Sequence, residues 1–407
     1  MALYAFDGTW NEDEDAPEHE TNVVRFRDLY EGPVEYRGGV GTRFGTVGRL
    51  LGGVFGSGGR SRIEEMYDAA RKNWESGDHI FDIVGFSRGA ALATHFANVL
   101  AKQGLKLSNG STETPEIRFL GLWDIVGSFG IPIDLIINFQ HINLGWTIDR
   151  IPDTVRHCAH AMAIEERRQT FHATRLNIGN ANPRIEERWF RGVHSDVGGG
   201  NGNLLRNNIS LRWMLEQAQV SGLPVTTEQI DLLAAECDPL ASISHNKDLH
   251  RNEHRPAHAT DLYHRTAVGK QLAIGEAATF PVRAADRYNW SGLRLEKVAT
   301  YRFDIPDNQK WQDATISCGA DGWTSEQLPW YKEGVIKHFE HERRLPVANW
   351  FELVGALDDE ETDLFRISAG CEFTAPREAD LFTFANDLKT RYGNNSGALR
   401  VVVKRLR

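Results

Sequence analysis

Gly85-Phe86-Ser87-Arg88-Gly89 sets a serine between two glycines at the spacing of a nucleophile elbow. A serine held this way can carry out acyl transfer, provided a base lies within hydrogen-bond reach and an acid orients that base. The glycines have a steric reason. A turn tight enough to lift Ser87 above a sheet crowds its flanks, and the positions two before and two after it must lack a Cβ. His194 is the best-placed base, at the carboxyl end of an expected strand and in the glycine-rich run His194-Ser195-Asp196-Val197-Gly198-Gly199-Gly200. His157, His160 and His172 are its rivals, on or near an expected helix. Asp124 and Asp196 compete as the acid. Asp124 ends the strand that follows the serine and keeps the order Ser, acid, His. Asp196 is two residues from His194, and an Asx-type turn shaping the triple-glycine loop accounts for it otherwise. For an oxyanion, the backbone N–H of Arg88 is the first donor, with Gly8 or Thr9 after the first strand as the second.

These side chains need elements to hold them. Leu3 to Phe6 reads as a strand, as do His79 to Val84 ahead of Ser87, Ile117 to Trp123 ahead of Asp124, and Arg188 to Val193 ahead of His194. Ala90 to Leu100 is a buried helix behind the serine, and Ile209 to Ala218 is another helix. Ser61-Arg62-Ile63-Glu64 has the form of a capping box and opens a helix carrying Met66, Tyr67, Ala70 and Trp74. Asp153 caps an expected helix running towards Phe171, with Val155, Cys158, Ala159 and Met162 on its inner face. Strands alternating with helices in this order give an α/β-hydrolase-like, doubly wound parallel sheet. Gly38 to Gly59 is either a plain flexible loop or a lid that touches lipid. Gly127 to Trp146 is either core or an apolar wall beside the site. From Tyr288 the texture changes to short alternating runs separated by turn residues, as in a β-sandwich. The expected domains are therefore 1–287, α/β, and 288–407, a β-sandwich.

Composition excludes several classes. A net charge of -10 over 407 residues leaves no broad basic face to neutralise phosphates, so no nucleic-acid partner is expected. The first residues lack the basic and apolar regions of a signal peptide, and no stretch reaches the length of a membrane span, so synthesis in the cytoplasm is expected. Cys158, Cys237, Cys318 and Cys371 lie far apart, without metal or disulfide spacing. His245, His250, His254, His258 and His264 form a loose cluster interrupted by Pro256, which reads as a polar surface segment rather than a metal site.

Asp7-Gly8-Thr9-Trp10-Asn11, Thr21-Asn22-Val23, Gly39-Val40-Gly41-Thr42, the Ser87 elbow with Ala90, Trp123-Asp124, Glu166-Arg167-Arg168 and the block from Trp189 to Gly200 together resemble the type VI secretion phospholipase effectors and their α/β-hydrolase relatives. The likeness covers about the first 287 residues. It departs from the family at Asn201, where an aromatic usually follows the triple glycine. The resemblance implies a lipase or phospholipase with a triad at Ser87, Asp124 and His194 and no catalytic cofactor. It also implies a lipid or membrane-surface substrate, export through a type VI machine, and an immunity protein as partner. It implies ester hydrolysis more directly than it implies phospholipid.

The tail carries a second likeness. Asn386-Asp387 through Tyr392-Gly393-Asn394-Asn395-Ser396-Gly397, with Gly322-Trp323 upstream, is similar to bacterial galactophilic lectins of the PA-I type, a likeness that implies a jelly-roll form for the β-sandwich. Asp387, Asn394 and Asn395 supply hard oxygens of the kind calcium takes. The lectin pattern would add the backbone carbonyls of Glu326 and Arg391, and a glycan as partner. Asn-Asn-Ser-Gly as a simple turn between strands is the alternative. Two other functions stay open: a glycan-binding protein whose hydrolase unit is only a scaffold, and an esterase of soluble acylated substrates.

Overall fold

The computed structural model describes residues 1–8, 19–38, 57–127, 146–168, 171–244, 254–306 and 308–407. Thr9, most of the Gly38–Gly59 run, most of the Gly127–Trp146 run, His245 and His250 lie outside the described residues. The chain forms two compact units, one of Met1–Pro239 with Asn246–His264, the other of Leu240–His245 with Arg265–Arg407.

The first unit is built on a parallel sheet. Its strands are β1 (Ala2–Phe6), β2 (Val34–Arg37), β3 (Ile80–Phe86), β4 (Glu116–Trp123), β5 (Val155–Ala163) and β6 (Ile185–Phe190), in spatial order β2-β1-β3-β4-β5-β6. Both faces are covered, which is why the strands read as nearly continuous apolar runs. Tyr4, Phe6, Phe81, Ile83 and Leu120 face one core, with α2 (Ser57–Glu75) and α3 (Arg88–Gln103). Leu3, Ala5, Val84, Phe119 and Trp123 face the other, with α1 (Asn22–Leu29) and α5 (Leu204–Val220). Each large side chain buried in this way contributes about 1.5–3 kcal/mol. The chain runs from β1 to β2 on one side and then to β3 on the other. The sheet thus reverses direction at β1 and β3, and the crevice beyond their carboxyl ends is where such sheets place their sites.

Three local expectations are corrected. Residues 155–163 are not a helix but β5, a strand buried on both faces along most of its length, so Cys158, Ala159 and Met162 mimic a helical stripe. The helix expected from Ser61 starts at Ser57, and Ser61 Oγ bonds Glu65 Oε1 instead of forming a cap. The strand expected to run to Val193 ends at Phe190, and the glycine-rich run opens with a short helix, α4 (His194–Gly198).

The second unit is a β-sandwich. Its antiparallel strands include β7 (Ala277–Arg283), β8 (Asn289–Leu295), β9 (Thr300–Asp304), β10 (Trp311–Asp313), β11 (Ile316–Cys318), β12 (Leu353–Leu357), β13 (Leu364–Arg366), β14 (Gly370–Thr374), β15 (Ala379–Ala385) and β16 (Asn395–Arg405). One sheet runs β8-β15-β12-β13; the other runs β11-β10-β16-β9-β14, with β7 paired to β16. Phe280, Leu295, Tyr301, Phe303, Trp311, Leu353, Leu381 and Val401 fill the space between. The unit therefore begins at 265 and not at 288, and it also takes residues 240–245. β7 escapes a sequence reading because Pro281 interrupts it. The strand bonds β16 alone, and an edge strand tolerates the missing N–H.

Candidate active site

Ser87 follows β3 and caps α3 with φ 59° and ψ -122°, a strained backbone for a residue with a side chain. A Cβ on Gly85 would stand 2.7 Å from Ala90 Cα, and one on Gly89 would stand 2.2 Å from the Phe6 carbonyl oxygen. The first turn of α3 thus lies directly on the end of β1, and only glycine permits that approach. Ser87 N donates to Trp123 O at 2.9 Å, tying the serine to the residue before Asp124. Arg88 is the first residue of α3, so its N–H stands among the unpaired donors of the helix start. Burial pushes the Arg88 guanidinium down to about 10, which leaves it charged at neutral pH.

Asp124 and His194 meet. Asp124 leaves β4 with φ 43° and is fully buried. Its Oδ2 lies 2.5 Å from His194 Nδ1, and its Oδ1 accepts from Ala163 N at 3.0 Å. Burial would raise the carboxyl, but the charge of Arg255 and the hydrogen bond from His194 outweigh it and hold Asp124 well below the usual carboxylate range. Burial lowers the His194 imidazole, offset in part by Asp124 and Glu166, so the ring is neutral at neutral pH and its Nε2 is free to accept a proton. The ring lies tilted against Phe86, 4.6 Å between centroids and 31° between planes, and meets the edge of Phe171 at 4.9 Å. The His194 backbone N–H donates to Glu166 Oε2 at 3.2 Å, and Glu166 is forked by Arg168.

Phe86 immediately precedes the serine, so its ring contact with His194 brings that histidine and Asp124 to the elbow. Among the described residues no hydrogen bond joins Ser87 Oγ to His194 Nε2. Catalytic hydrogen bonds of this kind often close only around substrate.

The other expected residues are placed elsewhere. Asp196 turns away from the imidazole: its Oδ2 accepts from Val193 N at 3.0 Å and its Oδ1 from the amides of Asn201 and Asn203. It shapes the loop as an Asx-type brace, and Asn201 is one of the groups it holds. Gly8 N–H is taken by its neighbour Asp7 Oδ1 at 2.7 Å, which removes it as an oxyanion donor in this conformation. His157 pairs with Ser221 Oγ. His160 pairs with Glu187, and its Nε2 accepts from Ile125 N, supporting the turn after Asp124. In the histidine segment His254 and His258 are exposed, but His264 is buried and stacks on Phe190, which corrects its reading as surface. Among the described residues no group of three or more His, Cys, Asp or Glu side chains is placed to hold a metal ion. Sequence reasoning missed Arg255, which forks the Asp124 carboxylate; it stands in a His-rich segment with no motif around it.

In the second unit Asn395 Nδ2 donates to Asp387 Oδ2 at 3.1 Å, and Asn394 Nδ2 donates to Asp313 Oδ1 at 3.0 Å. Asp313 was not foreseen. Burial and the charge of Asp387 raise it to about 6. Burial also raises Asp387. Asn395 Oδ1 is buried without a partner. The Arg391 carbonyl accepts from Asn394 N at 3.2 Å, and among the described residues no hydrogen bond joins Glu326 to this group. Two buried carboxyls, one raised by the charge of the other, beside an unsatisfied amide oxygen, suit a hard cation.

No helix among the described residues is long and apolar enough to cross a membrane. No curated protein matches the sequence. Among solved structures, an uncharacterized protein from Pseudomonas aeruginosa is 22% identical over 58% of this chain and 48% of its own, with a TM-score of 0.42; this chain thus spans about half of that protein's length. The structure of a Tle1 effector bound to the VgrG spike is 15% identical over 97% of this chain and 70% of its own, with a TM-score of 0.36. The EclA N-terminal domain, a PllA-like lectin, is 17% identical over 31% of this chain and 94% of its own, with a TM-score of 0.23. The family model for the catalytic domain of Tle1-like type VI secretion phospholipase effectors matches residues 3–115 and 106–217, more than half of the 407 residues and inclusive of Ser87, Asp124 and His194. The chain belongs to the Tle1-like family of type VI secretion phospholipase effectors.

Proposed function

We propose that the first unit is a serine ester hydrolase acting on lipid. Ser87 Oγ attacks the acyl carbonyl carbon while His194 Nε2 takes its proton, and Asp124 holds the imidazole in the tautomer that leaves Nε2 free. The tetrahedral oxyanion sits on the Arg88 N–H at the start of α3. Its collapse expels the alcohol, which receives the proton from His194. Water, deprotonated by the same imidazole, then attacks the acyl-enzyme and releases the fatty acid with Ser87 restored. The observation that carries this reading is the buried 2.5 Å contact of Asp124 with His194, whose ring packs against the residue preceding a strained serine. The test is turnover of a fatty-acyl ester together with labelling by a fluorophosphonate. Ser87→Ala is expected to lose both while keeping its thermal unfolding; a fully active Ser87→Ala would overturn the triad. Faster turnover of micellar than of dispersed lipid would favour a membrane substrate over a soluble ester.

Family membership supports delivery by type VI machinery and a bacterial target, with an immunity protein to protect the producer. Asp313, Asp387 and Asn395 support calcium in the second unit, where the metal would organise loops for a glycan. Calcium-dependent retention on a carbohydrate array is expected, and retention unchanged by chelator would remove the metal from that role.

A further inference from the structure

The stretch from His254 to His264 belongs to the first unit and delivers one arginine into its interior. Arg255 Nη1 donates to Asp124 Oδ1 at 2.5 Å and Nη2 donates to Oδ2 at 3.0 Å, a fork-on-fork pairing. The same two nitrogens donate to Ala163 O at 2.9 Å and to Phe171 O at 2.5 Å. The side chain is 4% exposed, and Nε is buried without a partner. One guanidinium therefore binds the end of β4, the end of β5 and the residue whose ring edges His194.

Both oxygens of Asp124 are shared. Oδ2 receives His194 Nδ1 and Arg255 Nη2; Oδ1 receives Ala163 N and Arg255 Nη1. Without the fork, the carboxylate plane would be set by one backbone N–H and by the imidazole it is meant to orient. We infer that Arg255 is a positioning residue of the hydrolytic site, fixing the Asp124 carboxylate so that one oxygen stays on His194 Nδ1. This rests on the reading of Ser87, Asp124 and His194 as nucleophile, acid and base.

The arginine also bears on when His194 is a base. The charged groups facing it are Asp124 at the end of β4, Glu166 after β5, with Arg168 on its far side, and Arg255. Phe86 and Phe171 supply the apolar walls. Arg255 opposes protonation of the imidazole, whereas Asp124 and Glu166 favour it. Removing the guanidinium leaves the two carboxylates unopposed, and His194 holds its proton to higher pH. A group that only stabilised the fold would change the amount of active protein and leave that pH dependence alone.

The test measures the rate at which a fluorophosphonate labels Ser87 against pH, in the full chain, for wild type, Arg255→Lys and Arg255→Ala, with Ser87→Ala as the blank. Arg255→Ala is expected to label ~10- to 100-fold more slowly, the range set by misplaced catalytic groups. Its acidic limb moves to higher pH, and millimolar guanidinium restores part of the rate. Arg255→Lys keeps the charge without the fork, so it is slow with a limb close to wild type. Wild-type labelling by Arg255→Lys overturns the inference, and this variant decides the matter if Arg255→Ala does not fold. So does a slow Arg255→Ala with an unmoved limb and no rescue. A wild type that is not labelled at all refutes the nucleophile itself, which is a separate result.

Discussion

Replacing Gly89 by alanine tests how closely α3 sits on β1. The added Cβ would lie 2.2 Å from Phe6 O and 2.5 Å from Asp7 O, whereas a carbon meets a carbonyl oxygen comfortably at about 3.3 Å. About 1 Å must be recovered. The end of β1 is bonded on both sides, to β2 and to β3, so the first turn of α3 gives way and carries Ser87 and the Arg88 N–H with it. Overpacking of this kind costs about 1–3 kcal/mol. A 1 Å displacement of catalytic groups costs on the order of 100-fold in rate. The assay is kcat and KM on a chromogenic fatty-acyl ester, with thermal unfolding measured in parallel at roughly 2–4 °C per kcal/mol. Gly334→Ala is the control, since Gly334 lies inside a helix, Trp330–His338, with nothing within 4 Å of the added atom; it is expected to stabilise by about 0.5–1 kcal/mol. A Gly89→Ala protein with wild-type kcat and unfolding temperature would refute the docking argument, and with it the steric account of the elbow.

Asp124→Asn is expected to lower kcat by roughly 10⁴-fold, because the amide favours the wrong imidazole tautomer. It also leaves Arg255 buried without its counter-charge, so stability should fall by about 3–5 kcal/mol in chemical denaturation; near-normal turnover would remove Asp124 from the triad. The His194 pKa lies below its ordinary value, so kcat/KM should fall only on acidification past neutrality, and an acidic limb above pH 7 would contradict the burial of the ring. Asp313 titrates near 6 in the fold against 3.8 outside it, so the native second unit binds the extra proton between those values. Without added cation the contribution of Asp313 to stability is full below about pH 4 and is lost as pH rises through 6, so Asp313→Asn should flatten that part of the pH profile; added calcium should raise the neutral-pH unfolding temperature, and a cation-independent midpoint would count against the site.

The parts of the site fixed by local sterics and chain order were legible in the sequence. Gly85 and Gly89 announce Ser87 because no other residue fits against Ala90 and Phe6, and the order of strand ends points to Asp124 ahead of His194. Misreadings arose where tertiary context overrides pattern. β5 is apolar on both faces because sheet neighbours and helices cover it, and a short run of Ala, Met and Cys cannot show which period it obeys. Asp196 resembles an acid by proximity, yet three hydrogen bonds that depend on the folded loop hold it away. Arg255 was invisible for a different reason. It lies 131 residues beyond Asp124 and outside the stretch matched by the family model, so only the fold brings the two together.

The path of the chain between the two units has a consequence for how such proteins can be recombined. The first unit ends one passage at Pro239, gives 240–245 to the second, and then regains 246–264 before the chain leaves for good. A single breakpoint at 239 would yield a hydrolase lacking Arg255, and one at 264 would carry six residues that belong to the partner module. Exchange of the β-sandwich for another domain therefore requires two coordinated junctions rather than a simple end-to-end fusion. Shuffling that respects this rule would keep 246–264 with the catalytic half, as an inserted segment of that half and not as a linker.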